Sequence, residues 1–306
     1  MASELESQWK KIFELPPSQM KTELKKLDFA QVTSSNQNIL HIACIESNKD
    51  AINMILDVDL INGRLNIDLN DNIKTLSPLY YVIDSCDNGQ PDICEILIKS
   101  NANVNICDKF GVSPLHLAAY KGQDDNVEYF LKQKANIDAK DKVGRTPLMY
   151  AIIEGQTNCV QFLLENGSDL NSVDINGDSL IHYAAKCKGN SLLYSTMLIN
   201  KGIDVNKINN EGNTALMCIA MKTPKENVRL INKLLKQGTD VSIVNQEGDT
   251  FYSILGKEAI KTGEIESNID ITKQRGSKSS LSMTNIVLFF VLPIVIAYIS
   301  KMIQYK

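Results

Sequence analysis

Apolar residues in this chain come in short helical runs, two to a unit. Within Asp141–Asn171, Leu148, Ala151 and Ile152 recur at helical spacing, and Val160, Leu163 and Leu164 do so again. Thr146 suits a helix cap, and Pro147 suits the first helical position, where its missing N–H would be unpaired anyway. Gly144 supplies the positive φ of a tight turn, and Gly155 and Gly167 stop the two helices. The unit predicted is turn, helix, turn, helix and return loop. Each helix has one apolar face, and the unit is too small to bury both.

The neighbouring segments repeat it. Asp108–Lys140 has the same plan, and so does the run that begins at Asp174. Turn glycines fall at Gly111, Gly144, Gly177, Gly212 and Gly248, at spacings of 33, 33, 35 and 36. The helices open on Ser113-Pro114-Leu115-His116, Thr146-Pro147-Leu148-Met149, Ser179-Leu180-Ile181-His182 and Thr214-Ala215-Leu216-Met217. A 33-residue period with a T-P-L-H-x-A signature resembles the ankyrin repeat family, over roughly residues 35–265. The resemblance implies an all-α solenoid of helix-turn-helix units joined by hairpin loops, with about six repeats and a degenerate end unit.

The ends depart from the pattern. Residues 1–34 lack the signature, but Leu5, Trp9 and Phe13 share one helical face. Ser18 is placed to cap a second helix carrying Met20, Leu24 and Leu27. These two helices are expected to cover the first repeat. That repeat is degenerate, with Asn38-Ile39-Leu40-His41 and a second helix expected over about Asp50–Val58. The next opens on Ser77-Pro78-Leu79-Tyr80 and carries a long inter-helix stretch from Ser85 to Pro91. The last unit, from Asn245, keeps Gly248 and Thr250 but has Phe251, Tyr252 and Ser253 where Pro, Leu and His would stand.

Beyond the repeats the character changes. Residues 266–280 are polar and Ser-rich and read as a flexible linker. Residues 281–300 carry no charge. Eleven of the fourteen residues from Ile286 to Ile299 are Leu, Ile, Val or Phe. These contribute roughly −3 to −7 kcal/mol to insertion, and twenty helical residues rise about 30 Å. Leu281, Ile286, Phe289, Phe290, Pro293, Ile296 and Ile299 mark a single transmembrane helix, with 301–306 as a short tail. Pro293 is tolerated because neighbouring groups can relieve a freed carbonyl in a membrane helix. Lys273, Arg275 and Lys278 precede the span, and Lys301 and Lys306 follow it. A sole span so placed resembles a tail-anchored protein, single-pass, with its N-terminal bulk in the cytosol. The tail fits the mitochondrial outer membrane or the endoplasmic reticulum.

Composition narrows the chemistry. A net charge of −4 with no recurring basic stripe gives nucleic-acid binding no electrostatic support. Cys44, Cys86, Cys94, Cys107, Cys159, Cys187 and Cys218 are scattered and odd in number, and read as reduced, mostly packing thiols. No apolar run with a cleavage site opens the chain, so no secretory signal is expected. His41, His116 and His182 share the fourth tetrapeptide position, where the resemblance implies a structural ring bonded to neighbouring backbone. They are spaced along a stack, so neither a metal site nor a catalytic one is expected. No phosphate loop, nucleophile elbow or H-E-x-x-H pair occurs. The chain is expected to be no enzyme and to need no cofactor.

What remains is a surface. In the family's fold the residue after the fourth position faces the concave side; here these are Tyr81, Leu117, Tyr150 and Tyr183. Three residues further stand Asp84, Tyr120, Ile153 and Lys186, and beside the turn glycines Phe110, Val143 and Ile175. Tyr81, Phe110, Leu117, Tyr120, Val143, Tyr150, Ile153, Ile175 and Tyr183 are the expected partner-binding residues, since aromatic and aliphatic anchors carry protein interfaces. The reading is a membrane-tethered scaffold presenting a concave surface to a cytosolic protein. The alternative is a regulatory or inhibitory subunit of a membrane-associated enzyme or transporter. The resemblance also implies that return-loop asparagines such as Asn171 and Asn206 are candidates for hydroxylation.

Overall fold

The structure, a computed structural model, describes residues 4–72, 76–85, 89–187, 189–222 and 227–261. It divides into a unit Met1–Leu255 and a unit Gly256–Lys306, of which residues 256–261 are described. The expected linker, membrane span and tail lie outside the described residues. No helix among the described residues is long and apolar enough to cross a membrane.

The first unit is a stack of helix pairs. An N-terminal pair, α1 (Glu4–Phe13) and α2 (Pro17–Leu24), precedes six more. These are α3 (Ile39–Ile45) with α4 (Lys49–Asn62), α5 (Pro78–Ser85) with α6 (Pro91–Lys99), and α7 (Pro114–Lys121) with α8 (Asp124–Lys132). Then come α9 (Pro147–Glu154) with α10 (Thr157–Glu165), α11 (Leu180–Lys186) with α12 (Ser191–Asn200), and α13 (Ala215–Lys222) with α14 (Val228–Lys236). Helix α15 (Phe251–Lys261) follows. First helices pack in series from α1 to α13, and α8, α10, α12 and α14 pack in series behind them. All-helical repeat architecture is therefore as the sequence predicts.

Local chemistry explains where each helix begins and ends. Thr146 Oγ1 accepts the Met149 N–H at 3.5 Å, Pro147 occupies the first turn, and Gly155 ends α9 in the left-handed region at φ +78°. Two expectations need correction. Ser18 does not cap α2, which starts at Pro17 behind Pro16; the fixed φ of the prolines sets the entry two residues earlier. Helix α4 opens on Asn48, whose side chain accepts the Ala51 N–H at 2.9 Å, and extends well past Val58 to the stop at Gly63, at φ +61°.

The pairs share one apolar core. Trp9, Met20 and Leu24 of the N-terminal pair are buried in the same cluster as Leu40, Ile83, Phe130, Leu163, Leu198, Leu234 and Ile254. Trp9 and Leu24 are fully covered, as the amphipathic spacing of this pair requires. Cys44 and Ala119 occupy equivalent slots and both are sealed from solvent, which accounts for a small side chain at each. Among the described residues six cysteines are free thiols, with Cys44, Cys94, Cys159 and Cys218 buried. Burial pushes the Cys44 thiol well up and the Cys94 thiol to about 12, so both stay protonated and inert.

Candidate partner-binding face

Each turn is built on one side chain at its first position. Asp108 Oδ1 accepts the N–H groups of Phe110 and Val112 at 2.8 and 2.9 Å. Asp141 Oδ1 does the same for Val143 and Arg145, and Asp174 Oδ1 for Asn176 and Asp178. Asn209 and Asn245 repeat the pattern with amide oxygens, and Thr33 with a hydroxyl. A short side chain that folds back onto its own backbone holds the turn without help from the core.

The turns are then bolted to one another. The Lys142 N–H donates to Phe110 O at 2.8 Å, and the Ile175 N–H to Val143 O at 2.9 Å. Asn210 N–H to Asn176 O and Gln246 N–H to Glu211 O continue the row, each at 2.9 Å. On the return-loop side, Asp68, Asn105, Asp138 and Asn206 each accept an N–H from the following unit, at 2.7–2.9 Å. Asn206 is thus a structural bridge, while Asn171 is exposed.

The three histidines link units at depth. Ser113 N–H donates to His116 Nδ1 at 3.1 Å, and Nε2 lies 3.0 Å from Arg145 O of the next unit. His41 spans from Asn38 N–H to Leu76 O, and His182 from Ser179 N–H to Asn213 O. With Nδ1 accepting and Nε2 donating, the ring is neutral. Burial lowers the pKa of all three, against the opposing pull of the backbone carbonyls. Tyr80, in the same register, sends its hydroxyl to the equivalent carbonyl, Val112 O.

Above this frame lie the residues expected to bind a partner, and they separate into two groups. Tyr81, Tyr150 and Tyr183 are engaged in the frame itself. Their hydroxyls donate to the turn carboxylates Asp71, Asp141 and Asp174. Tyr150 is only 9% exposed and is therefore not the open concave residue that its register suggested. The reason is the fork beside it: Arg145 Nε donates to Asp141 Oδ2 at 2.8 Å, Nη2 lies 3.0 Å from the Tyr150 hydroxyl, and the guanidinium covers the ring at 4.8 Å. Burial pushes the Asp141 carboxyl up, yet these bonds and the turn amides outweigh it and hold the group below the ordinary carboxylate range. Burial and the carboxylate partners push all three phenols up, so they act as neutral donors.

The second group is open. Tyr120 is 41% exposed and Ile153 37%, one helical turn beyond Leu117 and Tyr150. Tyr120 meets Tyr150 edge to face at 6.2 Å, so its ring stands on a fixed support. Phe110 and Ile175 project from the turn tips, while Leu117 and Val143 are half-buried. Asp84 and Lys186 are each paired, with Lys121 and Asp178. Sequence reading missed Ile208 and Val244, both exposed, which stand just before the turn-starting Asn209 and Asn245. An aliphatic residue immediately before a turn Asn was the available signal. The arrangement offers apolar anchors on a rigid frame, with Asp84, Asp141 and Lys186 locally paired.

The sequence matches the family described as Ankyrin repeats (3 copies) over residues 82–174 and 166–245, together 164 of 306 residues. The fold is similar to a crystal structure of the ankyrin repeat domain of Bcl-3, described as a unique member of the IkappaB protein family. The two are 26% identical with a TM-score of 0.61, covering 70% of this chain and 92% of that one. No curated protein matches the sequence.

Proposed function

The chain belongs to the ankyrin repeat family, and from that premise we propose that it is a non-enzymatic adaptor, tethered to a membrane, which presents its inner face to a cytosolic protein. The observation that carries the reading is the contrast on that face. Tyr81, Tyr150 and Tyr183 lock the turns, and Tyr120 and Ile153 are left standing open on the frame so made. Apolar anchors held rigidly lose little entropy when a partner covers them. Leu117 widens the patch, and Phe110, Val143 and Ile175 form its rim. In pull-down from cytosol, the double variant Tyr120→Ala/Ile153→Ala is expected to lose partner recovery at least tenfold, as removal of two interface anchors does. Tyr183→Phe, which keeps the ring and removes only a turn bond, is expected to retain it. Equal recovery from both variants would remove this face from the proposal.

The tether rests on residues 281–300, whose charge-free apolar run is long enough for the hydrocarbon layer. Anchoring raises the local concentration of any bound protein, so a modest affinity suffices. The full chain is expected in the membrane pellet after alkaline extraction, and a chain lacking 281–306 in the supernatant. A full chain found in the supernatant ends this part of the reading. A fluorescent tag at the N-terminus then distinguishes the mitochondrial outer membrane from the endoplasmic reticulum.

A further inference from the structure

The second helices form their own layer, behind the first helices that carry Tyr120 and Ile153, and charge is spread unevenly over it. From α2 through α4, α6, α8, α10 and α12 to α14, the formal charges are 0, −2, −1, −2, −1, 0 and +3. Helix α12 holds no charged residue, and α14 holds Arg229, Lys233 and Lys236 with no acid. These cations stand at i, i+4 and i+7, so they share one face, turned from the buried Leu230 and Leu234. Arg229 and Lys236 are exposed, and Lys233 is half-buried. None of the three has an ion-pair partner among the described residues. In the connection ahead of α14, Lys225 and Glu226 offset each other in charge. Asp240 follows the helix, and its Oδ1 already accepts the N–H and the hydroxyl of Ser242.

Apolar exposure singles out the same two helices. Among the described residues, Leu192, Leu193 and Val228 are the exposed large apolar side chains of the second helices. They lie together, because Ser191 Oγ donates to Asn227 Oδ1 at 2.7 Å and sets the first turns of α12 and α14 side by side. We propose that this face rests on an anionic lipid bilayer, with the cations against lipid phosphates and the three apolar side chains in the headgroup layer. An acidic protein would satisfy the cations alone. Cations beside bare aliphatic side chains are the composition of a membrane-surface helix. The proposal rests on the tether at residues 281–300. The stretch 262–280 can extend to about 65 Å, which leaves α14 within reach of the surface that such a span crosses. Each cation near an anionic surface favours contact about five-fold, and the three together about a hundred-fold. That is too little to hold the chain unaided, but enough to orient one already anchored. The layer behind then meets lipid, and Tyr120 and Ile153 face the cytosol.

Trp9, the single tryptophan, is buried, so Leu193→Trp adds a separate reporter. The full chain carrying it is reconstituted at low salt into vesicles of brominated phosphatidylcholine, with and without phosphatidylserine. Quenching of the added tryptophan is expected to be at least about two-fold greater with phosphatidylserine, and to lose that excess in Arg229→Gln/Lys233→Gln/Lys236→Gln and at high salt. Asp125→Trp, exposed on the acidic α8, should show no such excess. Matching helical dichroism confirms that each variant is folded. Equal quenching with both lipids, or a triple variant that quenches like its parent, overturns the proposal. So does absence of quenching together with loss of an acidic protein from pull-down by the triple variant, which would assign the cations to that protein. Alkaline extraction of the same vesicles separates two failures. A chain retained but unquenched removes this face alone, whereas a chain released and unquenched removes the tether with it.

Discussion

Replacing His116 with alanine is expected to lower the unfolding free energy by about 3–4 kcal/mol, measured by chemical denaturation followed at the helical dichroism band. The ring is fully buried, so truncation leaves a cavity, and Ser113 N–H loses its acceptor. The carbonyl of Arg145 is less affected, because it also accepts the Asp141 N–H at 3.0 Å. The chain itself provides the control. Met149 and Met217 fill the same register without either bond, and both are buried. His116→Met should therefore cost only about 1 kcal/mol, the loss being the hydrogen bonds alone. A methionine variant as damaged as the alanine one would mean that the bonds, not the packing, dominate at this joint.

The same residues set a pH window. Each histidine has a folded pKa below the ordinary value of 6.5, chiefly through burial. Below about pH 6.5 the unfolded chain takes up protons that the folded chain refuses. Stability is thus complete above that pH and falls as pH drops toward the folded values. The slope is bounded at about 1.4 kcal/mol per pH unit for each histidine, the limit for a group protonated only in the unfolded chain. Asp141, also depressed, adds its loss only below about pH 4, so the two windows are separate. His116→Met should remove about a third of the slope between pH 6.5 and 5, a readout that simple loss of packing would not give.

Gly144→Ala is expected to cost about 2–4 kcal/mol. The residue sits at φ +82°, where an L side chain is strained. A Cβ there would also lie 3.0 Å from Asp174 Cα and 3.3 Å from Ile175 N, the donor of the next ladder bond. Neither backbone atom can move without opening that bond. Gly167 has a similar φ of +87° but nothing within 4 Å, so Gly167→Ala should cost only about 1 kcal/mol. If the two substitutions proved equal, the close approach of adjacent turns would not matter to stability.

Much of this could be seen in the sequence because it is repeated. A single Thr146-Pro147-Leu148 is weak, but the recurrence of Gly111, Gly144, Gly177 and Gly212 fixed both period and register. The role of the histidines was what the family resemblance implied, and their spacing along the stack spoke only against a shared site. What the sequence left hidden was the second task of the inner tyrosines. Tyr150 and Tyr120 look alike on a helical wheel, yet one is closed by the Asp141–Arg145 fork and the other is open. That difference depends on Arg145 folding back four residues to Asp141, a side-chain geometry that spacing does not encode. Tyr80 was similarly opaque: only packing reveals that a phenol reaches the carbonyl that imidazole reaches in other units. Ser18 misled because two prolines ahead of it had already set the helix entry.

The bolted row of turns also bears on how such a chain changes length over generations. Each joint uses equivalent backbone atoms, so one joint can substitute for another. Excising residues 141–173 would bring Ile175 N–H to Phe110 O, and His116 to the carbonyl of Asp178, closing the gap with the same bonds. Recombination that adds or drops a whole unit is therefore structurally quiet, whereas a cut of any other size strands donors without acceptors.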